Sequence, residues 1–390
     1  MMTTDLLDRE AREDLHDRGY SRRQIGRIAM LLGAGATASQ FLTNGAQAQQ
    51  SAKAVIGAVR IGSNECWTGP FPEGVQAASA IASLGNRYEP DNEHAKLAAA
   101  VAQVEGVTPE CILAWPGSSD PLNRAVITFC SPQKGLVTAN PTYEQSWRTA
   151  AWLSVKPTRV PLTADYRHDV KAMLAADPNA GLYYICSPNN PTGTLTPIAD
   201  IEWLLANKPK DSVVLVDEAY IHFAGTQSAA KLACTRNDVI VMRTFSKLFG
   251  MAGMRLGLTI AHPDLYKKMM RYDGGQVTNM LPMTAVACGT AVLPLADKIT
   301  ARRNEMIAVR EETFAHLKKR GLKYIPSQAN MFMVDWGAGK DPKAMQAAFV
   351  AEGVQIGRSW DAYPTMNRVT VGSAEDMAKF RAALDKVIKA

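Results

Sequence analysis

The chemistry open to this chain rests on Lys247, Asp217, Tyr220, Asn190, Thr244, Ser246 and Arg255. Lys247 stands in Arg243-Thr244-Phe245-Ser246-Lys247-Leu248-Phe249-Gly250, and Arg255 follows eight residues later. A lone lysine is usually a solvated one, but this lysine ends an apolar run and is flanked by hydroxyls. Asp217 closes the most apolar run of the chain, 212–217. A carboxylate placed there is buried, and without a cationic partner its burial is costly. Tyr220 presents a phenol three residues on. Asn190 offers an amide on a Pro-bounded turn, Ser187-Pro188-Asn189-Asn190-Pro191-Thr192-Gly193. Together these supply an amine for a Schiff base, an acid for a protonated ring nitrogen, and an amide and a phenol for a phenolate oxygen. Thr244, Ser246 and Arg255 suit a phosphate. Pyridoxal phosphate carries all of those groups.

The elements that must position them read as α/β. Short apolar runs at 135–139, 182–185, 213–216, 239–242 and 256–260 suit strands buried on both faces. Helical patterns such as 198–205 lie between them, so a mostly parallel sheet sandwiched by helices is expected. Polar clusters follow the strands, including Asn140-Pro141-Thr142-Tyr143 and Asp217-Glu218-Ala219-Tyr220. Ligands of open α/β sheets bind outside the carboxyl ends of strands, so these clusters predict one shared site. Beyond residue 299 the pattern changes to a long helix (299–319), strands at 330–335 and 368–371, and a closing helix (376–388). That is a smaller α+β domain, to which 49–80 also contributes. The expected division is 1–48, an arm at 49–80, a large cofactor-binding domain at 81–297 and a small domain at 298–390.

Several motifs resemble those of the class I/II, fold-type I aminotransferases, and by motif the histidinol-phosphate aminotransferases in particular. They are Asn64-Glu65-x3-Gly69-Pro70, Arg87-Tyr88-x-Pro90, Gly106-Val107-x-Pro109-Glu110, 187–193, 243–250 and Arg368-Val369-Thr370-Val371-Gly372. The resemblance spans about residues 55–388. It implies pyridoxal 5'-phosphate as cofactor and amino transfer between an amino acid and a 2-oxo acid. The alternative is another reaction on the same cofactor (decarboxylase, lyase, racemase or oxidase), because substrate orientation decides among them. By resemblance, Lys247 is the Schiff-base lysine and proton carrier, Asp217 pairs with the ring nitrogen, and Asn190 and Tyr220 bind the ring oxygen. Tyr143 stacks on the ring. Gly117-Ser118-Ser119 forms a phosphate turn at a helix start, where free N–H groups favour an anion; either serine also suits a plain N-cap. Thr244, Ser246 and Arg255 complete the cup. Tyr88 reaches the phosphate of a second subunit, which implies a homodimer. Arg368 grips the substrate carboxylate in bidentate fashion, with Asn330, Trp67 and Arg358 as further substrate-facing candidates. Arg358 stands one step later than the second arginine of that subgroup, and a one-residue shift in a strand turns a side chain to the other face. Trp67 and Trp360 then suggest an apolar or aromatic pocket.

The 390 residues carry 43 Lys+Arg against 37 Asp+Glu, a formal +6, with no basic run that would mark a nucleic-acid surface. Six cysteines (Cys66, Cys111, Cys130, Cys186, Cys234, Cys288) stand far apart with no CxxC pair. Buried inert thiols are expected, and neither a zinc site nor a dense disulfide framework. His94, His168, His222 and His262 have no evident partners and read as structural or surface residues. Residues 1–48 read as an export signal: Ser21-Arg22-Arg23-Gln24, an apolar stretch from Ile28 to about Leu42, and the small-x-small site Ala46-Gln47-Ala48. The paired arginines suggest the twin-arginine type and its export machinery, hence a periplasmic or secreted enzyme, with the cytoplasm as the alternative. No later segment is apolar and long enough to span a membrane.

Overall fold

The computed structural model describes residues 7–33 and 57–389. After β1 (Val59–Ile61), seven strands build the central sheet: β2 (Ile112–Trp115), β3 (Leu136–Asn140), β4 (Pro157–Pro161), β5 (Leu182–Cys186), β6 (Val213–Asp217), β7 (Val239–Thr244) and β8 (Gly257–Ile260). Their order is β2-β8-β7-β6-β5-β3-β4. The strands from β4 to β7 run parallel, and β8 is antiparallel to both its neighbours. Side chains alternate between two cores. Val214, Val216 and Ile185 face one cluster; Val213, Leu215 and Tyr184 face the other. Both faces are buried, which is why these strands read as unbroken apolar runs. Strands β2 and β4 escape that reading. β2 has only four residues, and β4 is an edge strand bounded by Pro157 and Pro161, where a missing N–H costs no ladder bond.

Two small sheets complete the fold, and one of them joins the N-terminal and C-terminal parts of the chain. β9 (Lys323–Tyr324), β10 (Met331–Asp335) and β12 (Met366–Thr370) form one, in order β12-β10-β9. β1 pairs in parallel with β11 (Val354–Ile356), residue 59 opposite 354. This pairing carries the loop after Ile61, with Asn64, towards the ends of the large-sheet strands.

Helices α1 (Arg9–Asp17) and α2 (Arg22–Gly33) pack on the large sheet's side of the second core, against α3 (Ser119–Phe129). Leu15 and Ile28 are fully buried there. Arg18 donates to the carbonyls of Ile127, Thr128 and Cys130, and the Tyr20 hydroxyl to Cys130 O at 2.8 Å. Those carbonyls are the ones a helix C-terminus leaves without intrahelical donors. Arg22 and Arg23 themselves are exposed. The cleavage-like site Ala46-Gln47-Ala48 and most of the apolar stretch before it lie outside the described residues.

The cysteines depart from expectation in one respect. Cys111 and Cys234, 123 residues apart in sequence, form a disulfide with Cα atoms 5.5 Å apart. Strands β2 to β6 lie between the two in sequence, and only the fold brings them together. Cys130, Cys186 and Cys288 are buried free thiols. His168 and His222 also have partners: the His168 ring meets Asn189 Oδ1 at 3.2 Å and His222 meets Arg243 at 3.1 Å. No helix among the described residues is long and apolar enough to cross a membrane.

Candidate active site

The carboxyl ends of β3, β5, β6 and β7 open into one cavity of about 830 Å³. Alternation along the strands decides which motif residues reach it. In Asp217-Glu218-Ala219-Tyr220, Asp217 and Tyr220 line the cavity. Glu218 points to the other face, where it accepts from Arg243 Nε at 2.8 Å. Thr244, Ser246 and Lys247 line the cavity too, whereas Arg243 is buried in an ion cluster with Glu218 and Glu105.

Asp217 is 3 % exposed and has no ion-pair partner among the described residues. Its Oδ2 accepts from the Tyr184 hydroxyl at 2.7 Å and its Oδ1 from the Ala219 N–H at 3.1 Å. Burial raises its pKa to about 6 despite those donors. A buried acid in that position has room for one cation. Lys247 donates to Asn64 O at 3.1 Å and lies over the Tyr220 ring at 5.4 Å. Burial, and then the charge of Arg368, bring its pKa down to about 8, so a neutral amine is accessible near neutrality.

Tyr220 is the hub of the remaining polar groups. Its hydroxyl receives Asn64 Nδ2 at 3.1 Å and Asn190 Nδ2 at 3.5 Å. Asn190 Oδ1 in turn accepts from Arg368 Nη1 at 2.9 Å. Arg368 also donates to Gly62 O at 2.6 Å, while its Nε is buried without a partner. An arginine with a spare N–H and no carboxylate partner is ready to take one.

The phosphate-sized end is a turn with no room to spare. Gly117 has φ +90°, and a Cβ there would meet Arg255 Nη2 at 2.2 Å. A Cβ on Gly257 would meet the Gly117 carbonyl carbon at 2.7 Å. Ser118 is the N-cap of α3, but its side chain makes no capping bond, which leaves the hydroxyl available to the cavity. Arg255 itself holds a left-handed φ of 57° and reaches the Ser246 hydroxyl at 3.5 Å. Backbone N–H groups at a helix start, two serines and an arginine make an anion cradle. The residues present therefore fit pyridoxal phosphate: an acid for its ring nitrogen, a donor pair for its ring oxygen, an amine for its aldehyde and a cradle for its phosphate.

Not every expected residue converges. Trp67 packs against the main core outside the cavity lining. Asn330 is fully buried and donates to Glu65 O at 3.3 Å, so it holds the Asn64 loop instead of lining the cavity. Tyr88 is 97 % exposed and is not among the residues that line this cavity. Arg358, by contrast, does line it. β11 ends at Ile356, so Arg358 sits beyond the strand and strand alternation does not govern where it points. Trp360, expected to suggest an aromatic pocket, packs on Ile325 and Met333 and lines the cavity. Asn64, Tyr184 and Glu144 join the site without having been singled out for it. Two of them had a legible signal: Asn64 stands in a family motif, and Tyr184 is a phenol two residues before the end of a strand that leads into the site.

Residues 57–386 match the family described as aminotransferase class I and II. The chain belongs to this family. A histidinol-phosphate aminotransferase of Moorella thermoacetica is 30% identical over 339 residues, 85% of each chain. An aromatic amino acid aminotransferase of Rhodococcus jostii is 32% identical over 329 residues, 84% of this chain and 89% of the relative. The crystal structure of a histidinol-phosphate aminotransferase from Sinorhizobium meliloti in complex with pyridoxal-5'-phosphate superposes with a TM-score of 0.78 at 26% identity. That likeness covers 88% of this chain and 93% of the other. This aminotransferase therefore depends on pyridoxal 5'-phosphate, and the fold-type I architecture expected from the motifs is present.

Proposed function

We propose that this aminotransferase takes the amino group from an α-amino acid with Lys247 as the covalent and proton-transferring residue, and returns it to a 2-oxo acid. The carrying observation is the pairing of a buried lysine, its pKa near neutrality, with a buried acid that has no cation of its own. When bound, the cofactor supplies an electron sink for the carbanion left by removing the substrate α-proton. Asp217 keeps the ring nitrogen protonated, an electrostatic effect already built before substrate arrives. Tyr220 and Asn190 would hold the ring oxygen, Tyr143 would stack on the ring, and Ser118, Ser119, Thr244, Ser246 and Arg255 would hold the phosphate. Arg368 takes the substrate α-carboxylate, which orients the α-proton towards the Lys247 amine. The curated relatives are named for histidinol phosphate and for aromatic amino acids, and of the two only an aromatic amino acid brings the α-carboxylate that Arg368 takes in this reading.

The test is a half-reaction on the holoenzyme. Individual amino acids are added and the bound aldehyde form of the cofactor is followed as it converts to the amine form. Conversion by a few amino acids, reversed by their 2-oxo acids, is expected. Release of carbon dioxide or peroxide without that conversion would move the enzyme to the other reactions of the cofactor. Lys247→Ala should lose both the conversion and turnover.

The reading extends to assembly and location. The exposed Tyr88, beside the exposed Leu84, fits a homodimer interface in which Tyr88 reaches the partner's phosphate site. Two features support export by the twin-arginine route. Arg22-Arg23 are exposed at the start of α2, and Cys111–Cys234 is a disulfide, which persists in oxidising compartments. Replacing both arginines with lysine should keep the enzyme in the cytoplasm; unchanged export would refute this route.

A further inference from the structure

Resting on the aminotransferase reading above, we propose that Glu144 is a specificity-determining residue. It holds the Arg358 guanidinium in an internal ion pair and so restricts the enzyme to amino acids and 2-oxo acids whose side chains carry no negative charge.

Two arginines from the C-terminal part of the chain line the cavity, and they are not equivalent. Both keep a buried Nε without an acceptor, but Arg368 has no carboxylate partner and is tied to Asn190 beside the Tyr220 hydroxyl. It is free to take the carboxylate that every amino acid substrate brings. Arg358 is already engaged. Its Nη2 meets Glu144 Oε1 at 2.8 Å, and its guanidinium lies over the Trp360 ring at 4.1 Å. The other Glu144 oxygen accepts from both Nε and Nη2 of Arg148, at 3.0 and 2.7 Å. Both carboxylate oxygens are thus taken, and the three side chains are only 15–25 % exposed.

A second anionic group on the substrate meets an unfavourable choice here. It must share Arg358 with Glu144, placing two anions on one guanidinium, or displace Glu144 and strand part of a desolvated ion cluster. Breaking one partner out of a buried pair is costly because the remaining charge loses its compensation. Discrimination of this kind works by disfavouring the wrong ligand as much as by attracting the right one. Part of the wall agrees with that choice. Ala347, Val350, Ile356 and Trp360 line the same cavity with apolar surface suited to an aromatic or aliphatic side chain. Glu144 follows directly on Tyr143, so the loop that places the ring-stacking aromatic also places the carboxylate that occupies Arg358.

The test compares kcat/KM of the holoenzyme for phenylalanine and glutamate. The wild-type enzyme should favour phenylalanine by at least tenfold. Glu144→Ala should raise the glutamate-to-phenylalanine ratio by tenfold or more, and adding Arg358→Met to that variant should cancel the gain. Arg358→Met alone should leave the ratio within threefold of wild type, because Arg358 is already occupied; this second variant decides the matter if Glu144→Ala does not fold. A wild-type preference for glutamate overturns the proposal. So does an unchanged ratio in Glu144→Ala, a gain that survives loss of Arg358, or a large loss of glutamate activity in Arg358→Met alone. A holoenzyme that converts no amino acid at all fails at the earlier step and sinks the aminotransferase reading with it, whereas normal conversion with the wrong ratio sinks only the role of Glu144.

Discussion

Lys247 and Asp217 show how burial sets chemistry at the level of single residues. Each is moved towards its neutral form because the sheet's carboxyl edge excludes water. For Lys247 the folded-state pKa is depressed, so between about 8 and the ordinary lysine range the unfolded chain binds the extra proton. Stability of the cofactor-free protein should therefore rise with pH across that window. Capture of pyridoxal phosphate by the cofactor-free enzyme should also accelerate with pH and level off above about 8. A rate that keeps climbing towards pH 10 would show an ordinary, solvated amine. Asp217→Ala removes the acid without touching the lysine, so cofactor should still load while exchange of the substrate α-proton falls by about 10²–10³-fold, the scale of losing one preorganised electrostatic partner. Normal exchange measured by NMR in deuterated buffer would remove Asp217 from that role. These residues were legible because their types are uncommon at strand ends. Glu144 was not, since a glutamate in a loop is ordinary until its partners are known. Asn64 was visible as part of a motif, but its place between Lys247 and Tyr220 comes from a backbone in the left-handed region at φ 55°, which a sequence does not print.

The elements matter because they deliver those residues from distant parts of the chain. The buried strands β3, β5, β6, β7 and β8 could be read directly, since two-sided burial forces a continuous apolar run. The pairing of β1 with β11 could not. A three-residue strand has too little pattern, and its partner lies nearly 300 residues away. Yet that pairing brings Asn64 and Gly62 to Lys247 and Arg368. The turn before α3 is the other decisive element. With Gly117 at φ +90° and Arg255 packed where its Cβ would be, Gly117→Ala must either twist the turn or expel the guanidinium. Strain of this kind costs about 1–3 kcal/mol, so affinity for pyridoxal phosphate should fall by roughly 10-fold or more. That strain is carried by the cofactor-free fold as well, so its melting temperature should also fall. Equal cofactor affinity in titrations of the variant would show that the turn has slack.

At the scale of the whole molecule, the first 33 residues pose a physical question that their composition alone did not raise. Read as a sequence, they are a charged segment followed by an apolar one. In the fold, α1 and α2 bury Leu7, Leu15, Tyr20, Ile28 and Leu31 against the second core, and Arg18 caps three carbonyls at the end of α3. Tyr272 ties Asp14 to the same surface at 2.7 Å. A segment held this way stabilises the enzyme for as long as it stays attached, and its docking depends on α3 and Tyr272 already being folded. Leu15→Ala removes a fully buried leucine, a change that costs about 2–5 kcal/mol in a core that cannot rearrange. Here the cost has a ceiling: once it exceeds the free energy of docking, the segment simply detaches, since local opening needs no global unfolding. Hydrogen exchange should therefore speed up sharply across residues 9–33 in Leu15→Ala, while protection in β5, β6 and β7 stays as in the parent. A chain beginning at residue 49 should keep those strands but bind more of a hydrophobic dye, because Leu122, Val126 and Leu153 lose their cover. Identical exchange in Leu15→Ala and parent would show that the segment contributes nothing to the folded enzyme.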